Sequence, residues 1–433
     1  MKLWRNRIRH STLGRNTLWT LLGQGSRLLI QGACFVLIAR SLGAANYGAF
    51  VGAVALVAIV APFATWGFGN LLVQNVARDP AVFSEWWGNG LLMSVVSGAV
   101  LLGIVAGTSH FLMPAKVSIG LVLLVASSDL LAARVTDLAC LAFQGMERMG
   151  WTANINIGFS ALRLAGAIVA ICAWHHPSAI EWAMFYCAAS FISAAFSVLV
   201  VIWMLGAPKP NIRSMISGLA DGFHFATGLS AQTIYNDLDK TMLSRLSTLD
   251  ATGIYAAAYR FIDVAFLPVR SLLWSASPAF FRAGKDGIQA TVAYVKRLLP
   301  KAVVYGVVVF AALNISAPFL PRILGMEYAR SVDALRWLAL IPLIRIIHTF
   351  YSDALSGAGY QKLRMMLQVF VAFANFLMNL WVIPAYSWRG AVWSSLASDF
   401  LLLVAVVSAT IVLSREANPK PVVQGYALEP PLE

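Results

Sequence analysis

Stretches of about twenty mostly apolar residues, each long enough to cross a hydrocarbon core of roughly 30 Å as a helix, recur along the chain. Twelve are legible, near residues 16–39, 47–68, 88–112, 117–141, 151–174, 180–206, 223–246, 252–280, 302–320, 332–353, 365–386 and 390–413. Their connections are short, and none is long enough to fold into a catalytic domain. The pattern predicts an all-α integral membrane protein of about 12 transmembrane helices. A polar break at 207–222, holding Pro208, Lys209, Pro210 and Arg213, serves as a linker between six-helix bundles at 1–206 and 223–413. The proline-rich tail 414–433 is expected to be disordered.

The two halves share a faint pattern. Sliding the sequence by 205 residues sets Arg40 on Arg245, Gly48 on Gly253, Phe50 on Tyr255 and Ala53 on Ala258. With a small insertion, Arg134 and Gly145 fall on Arg345 and Gly357. Six spans per half give both halves one orientation, the parallel-type pseudo-repeat of transporters that bind substrate between their halves.

The polar positions inside the spans carry the candidate chemistry, because a charge at the bilayer centre costs about 2.5–3.5 kcal/mol on insertion scales. In the first span Asn16, Thr20, Gln24, Arg27 and Gln31 fall on one helical stripe. The seventh repeats the pattern with Ser230, Thr233, Asp237, Thr241 and Ser244, adding Asp239 and Lys240. Further stripes hold Arg260, Asp263 and Arg270; Asn156, Ser160 and Arg163; Arg345, His348 and Ser352; and Gln368, Asn375 and Asn379. Together they imply a shared aqueous cavity. Arg134 with Asp137, Asp237 with Lys240, and Arg260 with Asp263 are three apart, close enough to pair, so structural pairing stands beside function for each. Arg27, Arg163, Arg270 and Arg345 have no local partner in sequence, although an acid on another helix would supply one. A guanidinium fork matches phosphate oxygens, so these four, with Gln24 and Gln31, are the candidate contacts for an anionic substrate. Asp237, Asp239 and Asp263 are candidates for binding or exchanging a coupling cation.

Composition agrees with the span pattern: 59% hydrophobic and 12% charged, the latter about half the soluble norm. The net charge of +13 is a matter of sidedness rather than of nucleic acid. The basic residues crowd one set of connections, from Lys2, Arg5, Arg7, Arg9 and Arg15 to Lys362, Arg364 and Arg415, and the opposite set holds only Arg40, Lys116, Arg245, Arg322, Arg330 and Arg389. The positive-inside bias puts both termini in the cytoplasm. Gln24, Arg27 and Gln31 make the first apolar stretch an uncleaved helix rather than a signal peptide. Cys34, Cys140, Cys172 and Cys187 lie in or at the ends of spans, and no glycine loop or metal-ligand cluster is legible, so no cofactor and no enzymatic activity are expected.

The stretch Leu37-Ile38-Ala39-Arg40-Ser41-Leu42-Gly43-Ala44-Ala45-Asn46-Tyr47-Gly48-Ala49-Phe50 resembles the Wzx-type polysaccharide-biosynthesis flippases of the multidrug, oligosaccharidyl-lipid and polysaccharide exporter superfamily. The likeness continues through Tyr235-Asn236-Asp237-Leu238-Asp239-Lys240 and Gly253-Ile254-Tyr255-Ala256-Ala257-Ala258-Tyr259-Arg260. It implies a bacterial inner-membrane protein that moves undecaprenyl-pyrophosphate-linked glycan repeat units, driven by a proton or sodium ion and working beside polysaccharide polymerase or assembly proteins. The alternatives are an exporter of drugs or of another lipid-linked precursor, and a membrane-embedded polymerase or glycosyltransferase.

Overall fold

A computed structural model describes residues 2–174 and 176–416. The side chains of 2–24, 224, 228, 231, 232, 235, 236, 274, 275, 277 and 278 fall outside that description, as does the expected disordered tail from 417 onward. The described chain is almost wholly helical, with no strand among those residues. Twelve long helices follow the apolar stretches: α1 (2–42), α2 (44–78, interrupted by a turn at 65–67), α3 (Phe83–Leu112), α4 (Ile119–Gly145), α5 (Met149–Trp174) and α6 (Ala179–Met204). After the linker come α7 (Ile212–Leu246), α8 (Leu249–Gly284), α9 (Ile288–Leu324), α10 (Ser331–Gly357), α11 (Gln361–Tyr386) and α12 (Trp388–Glu416).

The breaks between helices have local causes. Gly43, at φ 71° and ψ 173°, occupies a region that side-chain-bearing residues rarely enter, and it turns α1 into α2 without any intervening loop. Ser178 and Glu181 form a capping box at the start of α6. Asn211 caps α7 through the Arg213 N–H, and its own N–H donates to Asn89 of α3 at 2.7 Å, so the linker is docked rather than loose. Within α4, residues Ser127–Ala132 form a π-helical turn.

By contacts the chain divides into two units. The first comprises Met1–Ala265, Ala311–Leu340 and Ala372–Ser398, and the second Phe266–Phe310, Ile341–Val371 and Asp399–Glu433. The first is packed around Phe50, Leu56, Val57, Leu121, Val125, Trp182 and Tyr328, with a further cluster of Leu72, Trp87, Leu138, Phe143 and Val201. The second is packed around Phe266, Leu273, Phe280, Val295, Ile346 and Phe350.

Large apolar side chains also cover the outside, among them Val100, Phe196, Leu199, Trp203, Phe370, Phe373 and Trp381. In water such a surface would drive aggregation; against acyl chains it is solvated. Among the described residues, nine runs are long and apolar enough to cross a membrane, and the first of them, Gly25–Arg78, takes in α1 from residue 25 onward and all of α2. The chain is a multi-pass membrane protein.

Candidate functional site

A cavity of about 510 Å³ lies within the first unit. Arg27, Gln31, Cys34 and Ile38 of α1 line it at spacings of four, three and four; Arg27 and Gln31 belong to the polar stripe read from sequence, whose other side chains, Asn16, Thr20 and Gln24, lie outside the described residues. Tyr47, Phe50, Val51 and Val54 of α2 face it, with Phe159, Ser160 and Arg163 of α5 and Trp182 and Tyr186 of α6. Asp237 and Lys240 of α7 and Ala256, Arg260 and Asp263 of α8 complete the polar wall.

The wall holds four cationic side chains, Arg27, Arg163, Lys240 and Arg260, against two acids, Asp237 and Asp263. Two of the cations are tied down. Lys240 is paired with Asp237 on its own helix. Arg163 reaches Asp129 of α4 at 3.3 Å, and its guanidinium lies between the rings of Phe159, 4.2 Å from the centroid, and Tyr186, 3.8 Å away. The Tyr186 hydroxyl donates to the same carboxylate at 2.8 Å. Asp129 sits in the π-helical turn of α4, where an extra residue per turn redirects the side chains. Among the described residues, Arg27, Arg260 and Asp263 make no ion pair, so Arg260 and Asp263 share the wall without forming the contact their spacing allows.

The other candidate residues lie elsewhere. Asp239 is buried beside the cavity wall, accepting hydrogen bonds from the Tyr255 hydroxyl, from Ser395 of α12 at 3.2 Å and from the Lys240 N–H at 2.8 Å. The polar stripe of α11 is satisfied against α12: Asn375 donates to Ser398 at 2.8 Å and Asn379 to Asn375 at 2.9 Å, and Ser394 donates to Asn379. Arg345, in the second unit, is paired with Asp399 at 3.1 Å, and His348 shares that carboxylate at 3.1 Å. Arg270 is an exposed residue of the second unit. The side chain of Gln24 lies outside the described residues.

The cavity therefore brings together Arg27, Gln31, Arg163, Asp237 and Asp263 of the residues singled out from sequence. Lys240 and Arg260, read from sequence as pairing partners, join them, and the aromatic lining is what the structure adds. Asp129 and Asp399, which hold Arg163 and Arg345, are 34 and 54 residues from their partners, and no local spacing announces them. No group of acids, histidines and cysteines able to hold a metal ion occurs among the described residues.

The fold and sequence have recognisable relatives. An inward-facing multidrug resistance MATE family transporter of the MOP superfamily superposes with a TM-score of 0.72 at 13% identity, covering 90% of this chain and 96% of that one. The lipid II flippase MurJ, in an inward closed conformation, does so with a TM-score of 0.72 at 12% identity, covering 92% of this chain and 87% of that one. Both likenesses concern the fold. In sequence, the putative O-antigen transporter of Escherichia coli (strain K12) is 24% identical over 254 residues, which are 57% of this chain and 60% of that protein, so the match spans about three fifths of the relative's length. The family described as polysaccharide biosynthesis protein matches residues 13–283, which takes in every cavity-lining side chain named above. Matched over more than half its length, the chain belongs to the polysaccharide biosynthesis protein family.

Proposed function

We propose that this protein is a flippase, not an enzyme, and that it carries an undecaprenyl-pyrophosphate-linked glycan across the bacterial inner membrane by alternating access. The observation that carries this is the cavity: a net positive, polar and aromatic chamber inside a bundle whose outer surface is apolar. A pyrophosphate and its sugars cannot cross hydrocarbon, whereas a polyprenyl tail remains in it. Arg27 and Arg260, not engaged in ion pairs among the described residues, would grip the anionic head group with Gln31 beside them. The aromatic rings of α2, α5 and α6 would offer faces to sugar rings. The six-helix bundles at 1–206 and 223–413 would be the parts that rock about the linker, with both termini in the cytoplasm. One or more of Asp237, Asp239 and Asp263 would take up the coupling cation, a proton or sodium, and a polymerase or assembly protein would receive the glycan.

The same fold serves multidrug transport in a structural relative. The surplus of arginine and lysine in this cavity disfavours a cationic drug and favours an anionic cargo. The test is export of lipid-linked repeat units by cells carrying Arg27→Ala or Arg260→Ala, with protein abundance measured in parallel. Loss of export at normal abundance, with partial recovery by lysine, is expected. Full export by both alanine variants would overturn the proposal.

A further inference from the structure

The corner where α1 becomes α2 is held by a segment far away in sequence. After α9 the chain makes a short turn, Met326–Tyr328, and lays it over Gly43. The Glu327 carboxylate accepts from the Ala44 N–H at 2.9 Å, so it caps the first turn of α2, and it occupies the space that a Cβ on Gly43 would need. The Tyr328 hydroxyl, fully buried, donates to the Ala39 carbonyl at 2.9 Å, one of the last of α1. The Tyr328 ring meets that of Tyr47 edge-on at 6.5 Å between centroids, and Tyr47 lines the cavity. Glu327 and Tyr328 thus hold the α1–α2 corner next to Tyr47 of the cavity wall.

The corresponding hairpin of the other half makes the corresponding grip. There the last turn of α3 offers the Phe111 carbonyl to Arg245 Nε at 3.0 Å, at the end of α7. Arg245 is the residue that the 205-residue shift equates with Arg40, at the end of α1. Each half therefore reaches across to hold the end of the other half's first helix. The two grips differ in chemistry: one is an exposed guanidinium on a carbonyl, the other a carboxylate on a helix start beside a buried phenol.

From this geometry we infer that Glu327 and Tyr328 are the latch of the extracytoplasmic gate: their two hydrogen bonds form when the cavity is shut on that side and break when it opens there. The inference rests on the alternating-access proposal for its purpose, but not for its measurement. In a background with the four native cysteines replaced, Ala58→Cys places a thiol in the cavity. Spheroplasts are treated with a membrane-impermeant maleimide, and the labelling rate reports how often the cavity opens outward. Met326→Cys, at an exposed position on the same turn, reports which side the turn faces.

Met326→Cys labels readily from outside, and Glu327→Ala or Tyr328→Phe raises labelling of Ala58→Cys about fivefold, the effect of losing one cap or one buried hydroxyl bond. Glu327→Gln, which keeps an acceptor without the charge, falls between. Unchanged labelling in Glu327→Gln and Tyr328→Phe at normal abundance would overturn the latch, as would a Met326→Cys reached only from inside. Faster labelling in a protein that exports no glycan would leave the latch standing and remove the flippase proposal.

Discussion

At the residue scale, the cavity arginines divide into Arg163, which is ion-paired, and Arg27 and Arg260, which make no ion pair among the described residues. Arg163 has an acid and two aromatic faces; removing it strands Asp129, and removing Asp129 strands it. The pair is 23% and 16% exposed at its side chains, so breaking it costs less than the roughly 3–5 kcal/mol of a fully buried pair. Arg163→Ala and Asp129→Ala should each lower the melting temperature of the detergent-solubilised protein, whereas Arg27→Ala should leave it unchanged. Equal melting temperatures for all three would refute this division. Arg345 and Asp399, at 9% and 2% exposed, should show the full penalty: either alanine variant loses about 3–5 kcal/mol, seen as collapsed abundance. Arg345→Met combined with Asp399→Leu should restore most of it, because no lone charge remains buried. The stripe of Arg27 and Gln31 was legible in sequence because helical spacing alone sets which face they share. The partners of Arg163 and Arg345 were not, because pairing across helices depends on packing and, for Asp129, on a π-helical turn that shifts the register of α4.

At the element scale, spans are legible because hydrocarbon thickness fixes helix length, and each apolar stretch read from sequence falls on one of the twelve helices to within two residues at its ends. Their junctions are less so. The sequence pattern leaves the turn from α1 to α2 anywhere within 40–46, and the backbone of Gly43 fixes it to one residue. The turn bearing Glu327 has no helical spacing to read, and its role comes from where α9 delivers it. Glycines decide the tightest approach: a Cβ on Gly48 would overlap the Leu249 carbonyl and lie 2.8 Å from the Gly253 nitrogen, and one on Gly253 would overlap the Ala44 carbonyl. Gly48→Ala and Gly253→Ala should therefore force α2 and α8 apart at a cost of about 1–3 kcal/mol. Thermal unfolding in detergent checks this, with Gly103→Ala, where the added methyl meets open space, as the control that should not move.

At the scale of the whole molecule, the proposed orientation, with both termini in the cytoplasm, rests on the asymmetry of basic residues. Reporter fusions after Arg148, Lys209, Lys285 and Lys362 should report cytoplasm, and fusions after Lys116 and Ala329 the opposite side; two reversed sites would refute the twelve-span topology. The seam between α2 and α8 has a meaning at this scale too. Gly48 touches the start of α8, and Gly253, its equivalent under the 205-residue shift, touches the start of α2. Such reciprocity belongs to isologous interfaces, where one patch meets a copy of itself across a twofold axis. A homodimer obtains it from a single gene, so one mutation alters both sides of the axis at once. In a chain that carries both copies, the two glycines mutate separately, and a side chain gained at either one is opposed by the unchanged backbone of the other.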